Sequence, residues 1–220
     1  MSFIKSAVLA LATATFASTA LAAFPDRPVK LTVAYSPGGA TDVIARILAN
    51  DLSARWGQSV VVENKPGASG MIGAESVVRA DPDGYNLLLG YTPEVSLNKL
   101  VFKEMRYDPL TDLTPIALAA SAPLVLVAGP KLGAKSVEDL RARAGSAQIS
   151  FASPGVGGQQ HMAGELLAKR LGKSLTHVPY KGTAPAVADL VGGQIDLFFA
   201  TAPALLAHIR SGRIKPLAVA

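Results

Sequence analysis

The sequence contains no cysteine, which excludes disulfide bonds and thiol chemistry. Aromatic residues make up only 6% of the 220 residues, and lysine and arginine form no run. A protein that binds nucleic acid more often presents a basic face interleaved with aromatic side chains, so nucleic acid is not an expected partner. The formal net charge of +5 is compatible with an anionic small molecule as ligand, although it does not require one.

Long apolar runs are scarce as well, and the main one lies at the N-terminus. Residues 1–5 supply a short basic start, residues 7–21 are apolar apart from serine and threonine, and Ala20-Leu21-Ala22 fits a small-x-small cleavage site. A membrane anchor is the alternative, but the run is shorter than the roughly 20 strongly apolar residues that a span needs. We therefore predict a signal peptide over residues 1–22 and a periplasmic mature protein.

Sequence signatures of enzymes and metal sites are incomplete. Residues 129–136 resemble a phosphate-binding loop, but the second glycine comes one residue too early. The three histidines, His161, His177 and His208, lack the spacing of zinc ligands, and residues 81–84 are too short for a calcium loop. No set of nucleophile, base and orienting group is recognisable. The sequence predicts no catalytic residue, no metal and no cofactor.

What the sequence does contain is a strand-turn-helix pattern around residues 36–42. Residues 30–35 (KLTVAY) are rich in β-formers, and from Ile44 onward apolar residues recur at helical spacing. The two glycines allow a sharp turn and a close approach to a ligand, and the helix start leaves unpaired N–H groups. Such a turn suits an anion, although a plain turn with a threonine or aspartate cap needs no ligand.

The pattern is repeated in the second half of the chain. Residues 148–153 (QISFAS) predict a strand, residues 154–158 (PGVGG) predict a turn, and a helical pattern follows. In each half a further strand runs into another glycine-bearing turn, at residues 65–70 and at residues 180–185. The repeat predicts two similar α/β lobes, each presenting two helix N-termini to a shared cleft. The almost wholly apolar residues 116–128 predict a strand that passes from the first lobe into the second.

Several longer stretches resemble the tripartite tricarboxylate transporter receptor family, whose members are also called Bug proteins. They are SPGGATDVIAR (residues 36–46), VENKPGASGMIGAE (residues 62–75), SPGVGGQQHMAGE (residues 153–165) and VPYKGTAPAVADLVGGQIDL (residues 178–197). The resemblance covers nearly all of the chain after the predicted signal peptide. It implies an α/β fold of the periplasmic-binding-protein type (type II, Venus-flytrap) with two lobes.

The predicted crossing strand divides the chain into a first lobe over residues 23–119 and a second lobe over residues 120–220. Members of the family usually continue beyond the position of Ala220, with a segment that returns to the first lobe and completes its sheet. We therefore expect a fold that is truncated at its C-terminus, with the first lobe lacking its return segment.

The resemblance implies a receptor rather than an enzyme. Such a receptor captures a small carboxylate between its lobes and delivers it to the membrane permease subunits of a tripartite tricarboxylate transporter, and we predict that it is a monomer. The ligand class stays open among dicarboxylates, tricarboxylates, acidic amino acids and aromatic acids. Two alternatives are a secreted α/β enzyme that acts on an anionic substrate through Ser153 or His161, and a non-functional truncated fragment.

Candidate ligand-binding residues come from the four turns and from the resemblance, which implies binding by backbone N–H groups and hydroxyls. Asp42 is expected to hold its turn, and a lone histidine is more often structural than a ligand contact. Asp196 would be unusual if it were buried and unpaired, so it either caps a turn or contacts a polar ligand group. The candidates are Tyr35, Pro37, Gly38, Gly39, Thr41, Asp42, Ala68, Ser69, Gly70, Thr92, Ser153, Gly157, Gln159, His161, Tyr180, Gly182, Thr183, Ala184 and Asp196.

Overall fold

The computed structural model describes residues 24–220, so the predicted signal peptide lies outside the described residues. The described chain forms two α/β units, each built on its own sheet. Among the described residues, no helix has both the length and the apolar character needed to cross a membrane.

The first sheet has three parallel strands in the order β2-β1-β3. In chain order its elements are β1 (Val29–Val33), α1 (Ala40–Trp56), β2 (Val60–Asn64), α2 (Met71–Val78) and β3 (Asn86–Leu89). Val29 and Val33 of the central strand are fully buried and pack with Ala45 and Ala49 of the first helix. Along this strand the apolar Val29, Leu31 and Val33 alternate with Lys30, which is exposed, and Thr32, which is buried.

The connection to the second sheet begins with a π-helix over Pro93–Leu97 and a short helix, α3 (Asn98–Val101). The predicted crossing strand over residues 116–128 is wrong in its first part, since residues 114–123 are exposed and pair with no described strand. Backbone groups without a neighbouring strand bond to water instead, so high apolar content alone does not make a strand. The predicted lobe boundary at residues 119 and 120 lies in this segment and stays a prediction.

The second sheet has five strands in the order β6-β5-β7-β4-β8. Three of them, β5, β6 and β7, run parallel, and β4 is antiparallel to both of its neighbours. The elements are β4 (Leu124–Ala128), α4 (Val137–Ala144), β5 (Ser150–Ser153), α5 (Gln159–Leu171), β6 (Thr176–Pro179), α6 (Thr183–Val191), β7 (Leu197–Thr201), α7 (Ala202–Arg210) and β8 (Lys215–Val219).

The second sheet is buried on both faces. Leu197 and Phe199 pack in one core cluster, whereas Phe198 between them packs in the other, as the alternation of side chains along a strand requires. One of these cores is tight enough to need a glycine, because a Cβ at Gly164 of α5 would lie 2.1 Å from the ring of Phe151. This dense packing gives the turns at the strand ends a rigid support.

Candidate functional site

The carboxyl ends of the parallel strands in both sheets lead into turns that face each other. Residues 34–39 follow β1 and residues 65–67 follow β2, while residues 154–158 follow β5 and residues 180–182 follow β6. Helices α1, α5 and α6 begin directly after three of these turns, and a 3-10 turn precedes α2. The structure thus contains the strand-turn-helix units that the repeat in the sequence predicts, and each helix start carries backbone N–H groups without partners in its own helix.

At two places, hydrogen bonds join a turn of the first unit directly to a turn of the second unit. The backbone N–H and the hydroxyl of Ser36 both donate to the carbonyl oxygen of Lys181, at 3.2 Å and 2.8 Å. The hydroxyl of Ser69 donates to the carbonyl oxygen of Val156 at 2.7 Å. The two units are therefore in contact across the cleft, in a closed arrangement.

Glycines make this close approach possible. A Cβ at Gly155 would lie 2.8 Å from the hydroxyl oxygen of Ser69, and a Cβ at Gly182 would lie 3.0 Å from the backbone nitrogen of Ser36. Gly182 also has φ +147, a backbone conformation that residues with a side chain rarely adopt. The glycines of these two turns are thus required by the facing unit as well as by the turns themselves.

Asp42 is buried beneath the first turn and holds it in place. Its Oδ2 accepts hydrogen bonds from the backbone N–H of Gly38 and from Arg46 Nε, both at 3.0 Å, and its Oδ1 accepts from Asn64 Nδ2 at 3.0 Å. Burial opposes ionisation, but the hydrogen bonds from Arg46, Gly38 and Asn64 outweigh it and lower the pKa of the Asp42 carboxyl. Asp42 therefore fixes the turn and offers no free charge to a ligand.

The second turn of the first unit has an unusual backbone. Ala68 and Ser69 have φ 47 and φ 53, in the left-handed region, and Gly70 follows with φ 88. Non-glycine residues in this region cost about 1–3 kcal/mol each and persist where surrounding structure holds them. Here Asn98 Nδ2 donates to the Ser69 carbonyl oxygen at 2.8 Å. Strained backbone of this kind concentrates at ligand sites, which supports a binding role for this turn.

A buried carboxyl lies under the floor of the cleft. Glu94 is 0% exposed, and it accepts hydrogen bonds from the Tyr35 hydroxyl and from the Tyr91 backbone N–H, each at 2.6 Å. Burial raises the pKa of Glu94 to about 7, and burial together with Glu94 raises the pKa of Tyr35. The Tyr91 hydroxyl accepts a hydrogen bond from Gln160 Nε2 of the facing unit at 3.0 Å. The floor of the first unit is thereby linked to the first turn of α5.

The wall of the second unit contains two stacked histidines. The ring centroids of His161 and His177 lie 3.9 Å apart, and His161 Nδ1 accepts a hydrogen bond from the backbone N–H of Gly157 at 3.0 Å. The Ser153 hydroxyl lies 2.7 Å from both His177 Nε2 and the Gly155 carbonyl oxygen. Because that carbonyl only accepts, we assign the hydroxyl hydrogen to it, with His177 donating from Nε2.

This arrangement does not prepare Ser153 for nucleophilic chemistry. Ser153 is fully buried, and its one hydrogen is committed to a carbonyl oxygen rather than to a base. Burial and the neighbouring His161 lower the pKa of His177 to about 4, so His177 is neutral near neutral pH. The contact between Ser153 and His177 therefore stabilises the wall of the second unit.

A cavity of about 900 Å³ opens between the units and continues along β3 and residues 109–122. The candidates that line it are Tyr35, Gly39, Thr41, Asp42 and Thr183. Sequence reasoning missed other lining residues on the cleft side, namely Ser36, Tyr91, Pro154, Gln160 and Thr201. A usable signal existed, because these residues lie at or just after strand ends or in the first turn of a helix, where ligands of open α/β sheets bind.

Most of the other candidates lie in the turns around the cleft, or in the strand ends and helix starts next to them, without lining the cavity. They are Pro37, Gly38, Ala68, Ser69, Gly70, Thr92, Ser153, Gly157, Gln159, His161, Tyr180, Gly182 and Ala184. The hydroxyl of Tyr180 is occupied within its own unit, since it donates to Asp189 at 2.7 Å.

Asp196 has to be removed from the candidates. Its Oδ2 accepts hydrogen bonds from the backbone N–H and the hydroxyl of Ser150, at 2.9 Å and 2.8 Å. Ser150 begins β5 and Asp196 immediately precedes β7, so both lie at the amino ends of parallel strands, opposite the cleft. Asp196 therefore ties two strand starts together, which corresponds to the capping role that the sequence left open.

The family model described as "Tripartite tricarboxylate transporter family receptor" matches residues 44–220. The chain belongs to this family. The match confirms the resemblance seen in the sequence, and the members are receptors, in agreement with the prediction that the chain is not an enzyme.

Individual relatives support the same assignment. Protein BugT of Bordetella pertussis (strain Tohama I) is 40% identical over 199 residues, which are 89% of this chain and 61% of BugT. Among solved structures, the periplasmic binding protein BugD is 39% identical with TM-score 0.84, over 89% of this chain and 66% of BugD. MatC from Rhodopseudomonas palustris, solved with bound malate, is 31% identical with TM-score 0.83, over 90% and 68% of the two chains.

These likenesses confirm the two-lobed α/β fold of the periplasmic-binding-protein type. They also show that the chain spans somewhat less than two thirds of BugT, at 61% of its length.

Proposed function

We propose that this receptor is an extracytoplasmic solute-binding protein that captures a small carboxylate between its two units and delivers it to the membrane subunits of a tripartite transporter. The predicted periplasmic location and monomeric state belong to the same proposal. The malate in the structure of MatC shows that a member of the family binds a hydroxydicarboxylate, and we extend the class, not the identity of the ligand, to this chain.

The observation that carries the proposal is the pair of helix starts that face each other across the cleft. Thr41 lies in the first turn of α1 and Thr183 begins α6, and both line the cavity. A Cβ at Gly39 would lie 3.5 Å from the Cβ of Thr183, so the two helix starts are close together. Backbone N–H groups and hydroxyls at helix starts bind anions by charge-assisted hydrogen bonds. A carboxylate held between them would contact both units and favour the closed arrangement.

Thermal unfolding with a panel of ligands tests the proposal. The panel contains succinate, malate, citrate, glutamate and benzoate, with succinamide as an uncharged control of the same skeleton as succinate. A ligand at about a hundred times its Kd adds about 2.7 kcal/mol of stability, which raises the unfolding temperature of a chain of this size by roughly 5–10 °C. A shift with one class of carboxylate supports the proposal, whereas the absence of a shift with every carboxylate contradicts it.

Thr183→Val tests the location of the site. The substitution keeps the shape of the side chain and removes the hydroxyl, and a lost hydrogen bond to a charged group costs about 1.5–3 kcal/mol, or roughly tenfold or more in Kd. Thr176→Val is the matched control, because Thr176 is an exposed threonine on β6. Equal affinities of the two variants for the best ligand would move the site away from α6.

A further inference from the structure

The carboxyl of Glu94 is buried without a cationic partner. Glu94 lies in the π-helix after β3, with 0% exposure, and no ion pair among residues 24–220 includes it. Its two oxygens accept from the Tyr35 hydroxyl and from the Tyr91 backbone N–H. A buried carboxylate with so few donors and no opposite charge is readily protonated, because burial disfavours the ionised form.

The surroundings of this carboxyl offer no positive charge that would hold it ionised. A Cβ at Gly70 would lie 2.7 Å from Glu94 Oε2, and Tyr107 donates its hydroxyl to the backbone carbonyl of Glu94 at 2.7 Å. Other charged groups on the neighbouring elements bond to one another and not to Glu94; they are Glu75, Arg79, Lys99, Arg106 and Asp108. The only titratable groups in contact with the Glu94 carboxyl among the described residues are thus tyrosines, and burial brings the pKa of Glu94 to about 7.

Two tyrosines stand between Glu94 and the cleft. Tyr35 and Tyr91 both line the cavity, and both donate hydrogen bonds to Glu94, Tyr35 from its hydroxyl and Tyr91 from its backbone N–H. Their rings pack edge to face, with the ring centroids 6.0 Å apart. The hydroxyl of Tyr35 has a single hydrogen, which it gives to Glu94 Oε2 at 2.6 Å. A ligand carboxylate in the cavity next to Tyr35 would compete with Glu94 for that hydrogen.

We propose that the cleft takes up one proton together with its carboxylate ligand, and that Glu94 is the site of that proton. The inference rests on the carboxylate-binding function proposed above. In the empty cleft the Tyr35 hydroxyl donates to ionised Glu94. When the ligand arrives, a proton from solvent binds Glu94 Oε2, and the new O–H donates to the Tyr35 oxygen. The Tyr35 hydrogen then turns to the ligand carboxylate, so that two negative charges do not share one buried region.

Asp42 and His177, two titratable groups that also lie near the cleft, do not provide this proton site. Asp42 is held ionised by its hydrogen bonds to Arg46, Gly38 and Asn64, which lower its pKa. His177 is neutral near neutral pH, because burial and His161 lower its pKa to about 4.

Isothermal titration calorimetry measures the proton directly. Malate, or the panel carboxylate with the largest thermal shift if malate gives none, is titrated in two buffers of different ionisation enthalpy. After correction for protons that the ligand itself binds or releases, proton uptake should approach one per ligand at about pH 8 and fall toward zero at about pH 6, where Glu94 is already protonated. By the same linkage, affinity should be about tenfold weaker at pH 8 than at pH 6. Binding without proton uptake at pH 8 overturns the inference and leaves the proposed function intact.

Glu94→Gln separates proton binding from a structural role. The amide keeps the size of the side chain, accepts from the Tyr91 N–H and donates to the Tyr35 oxygen, as protonated Glu94 would. This variant should bind about tenfold more tightly than the wild-type protein at pH 8, with no dependence on pH between about 6 and 8. The control Glu104→Gln removes an exposed carboxyl and should keep the wild-type profile. An unchanged pH profile in Glu94→Gln contradicts the inference, and the proton count of the wild-type protein decides it if that variant does not fold.

Discussion

At the scale of single residues, the buried aspartates Asp42 and Asp196 are occupied by hydrogen bonds within their own units. Asp42 ties the first turn to α1 and β2 through Gly38, Arg46 and Asn64. Asp196 ties the starts of two strands together. Each carboxylate accepts several hydrogen bonds from its own unit, so neither presents a free negative charge to an anion. The site for an anion is consequently left to N–H groups and hydroxyls.

The role of Asp42 predicts a dependence of stability on pH. Its carboxyl has a lowered pKa in the folded protein, so it stabilises the fold above the unfolded pKa of about 3.9, and this contribution is lost as pH falls through the folded pKa. Asp42→Asn should lower the free energy of unfolding by about 1–3 kcal/mol above pH 5. The difference from the wild-type protein should shrink as pH falls below about 3.9 and through the lowered pKa of folded Asp42.

Urea unfolding followed by circular dichroism across this pH range measures the effect. Asp81→Asn is the control, because Asp81 is an exposed carboxylate. A difference between Asp42→Asn and the wild-type protein that stays constant down to pH 3 would show that the charge of Asp42 is not what stabilises the turn.

At the scale of elements, the strand-turn-helix unit is what the sequence predicts well. The sequence predicts a glycine-bearing turn wherever a run of β-forming residues is followed by a helical pattern, and the structure confirms these turns after β1, β2, β5 and β6. What these turns touch could not be predicted, since Gly155 and Ser69 are far apart in the sequence and belong to different units. The missed cavity residues Tyr91, which follows β3, and Thr201, which ends β7, lie at strand ends that the two sheets place beside the cavity.

Gly155→Ala tests whether these turns limit closure. The new Cβ would lie 2.8 Å from the Ser69 hydroxyl oxygen, and overpacking of this size costs about 1–3 kcal/mol in the closed arrangement. We expect Kd for the best carboxylate to rise about tenfold, because this cost applies to the closed arrangement in which both units contact the ligand.

The control for this experiment is Val156→Ala in the same turn, since Val156 is 41% exposed and contributes its carbonyl rather than its side chain to Ser69. If Gly155→Ala and Val156→Ala bind equally well, the contact between Gly155 and Ser69 does not control closure.

At the scale of the whole molecule, the two units differ in how completely they are covered. The second sheet has buried side chains on both faces. In contrast, the cavity extends along β3 toward residues 109–122, where Leu110, Ile116 and Leu118 are 78%, 80% and 86% exposed. Exposed apolar side chains grouped on one segment promote association with other apolar surfaces.

The double variant Ile116→Ser and Leu118→Ser tests this surface. It should lower the fluorescence of a bound apolar dye and reduce association at high protein concentration, as measured by light scattering. The unfolding temperature should change little, because side chains that are at least 80% exposed contribute little buried area. Replacing Leu166, which is 55% exposed on α5, by serine is the control from the second unit. Equal dye binding in the wild-type protein and the double variant would place the apolar surface elsewhere.

The amino-acid sequence by itself determined the local units and the family. Local conformation depends mainly on residues that are close together in the sequence. The sequence therefore predicts the glycine-bearing turns, the helical patterns and the motifs around residues 36–46 and 178–197. Only the tertiary structure determined that Asp196 lies at the end of the sheet opposite the cleft, that residues 114–123 pair with no described strand, and that Glu94 is buried behind Tyr35. Each of these depends on contacts between residues distant in the sequence, since burial and strand pairing are properties of the folded molecule.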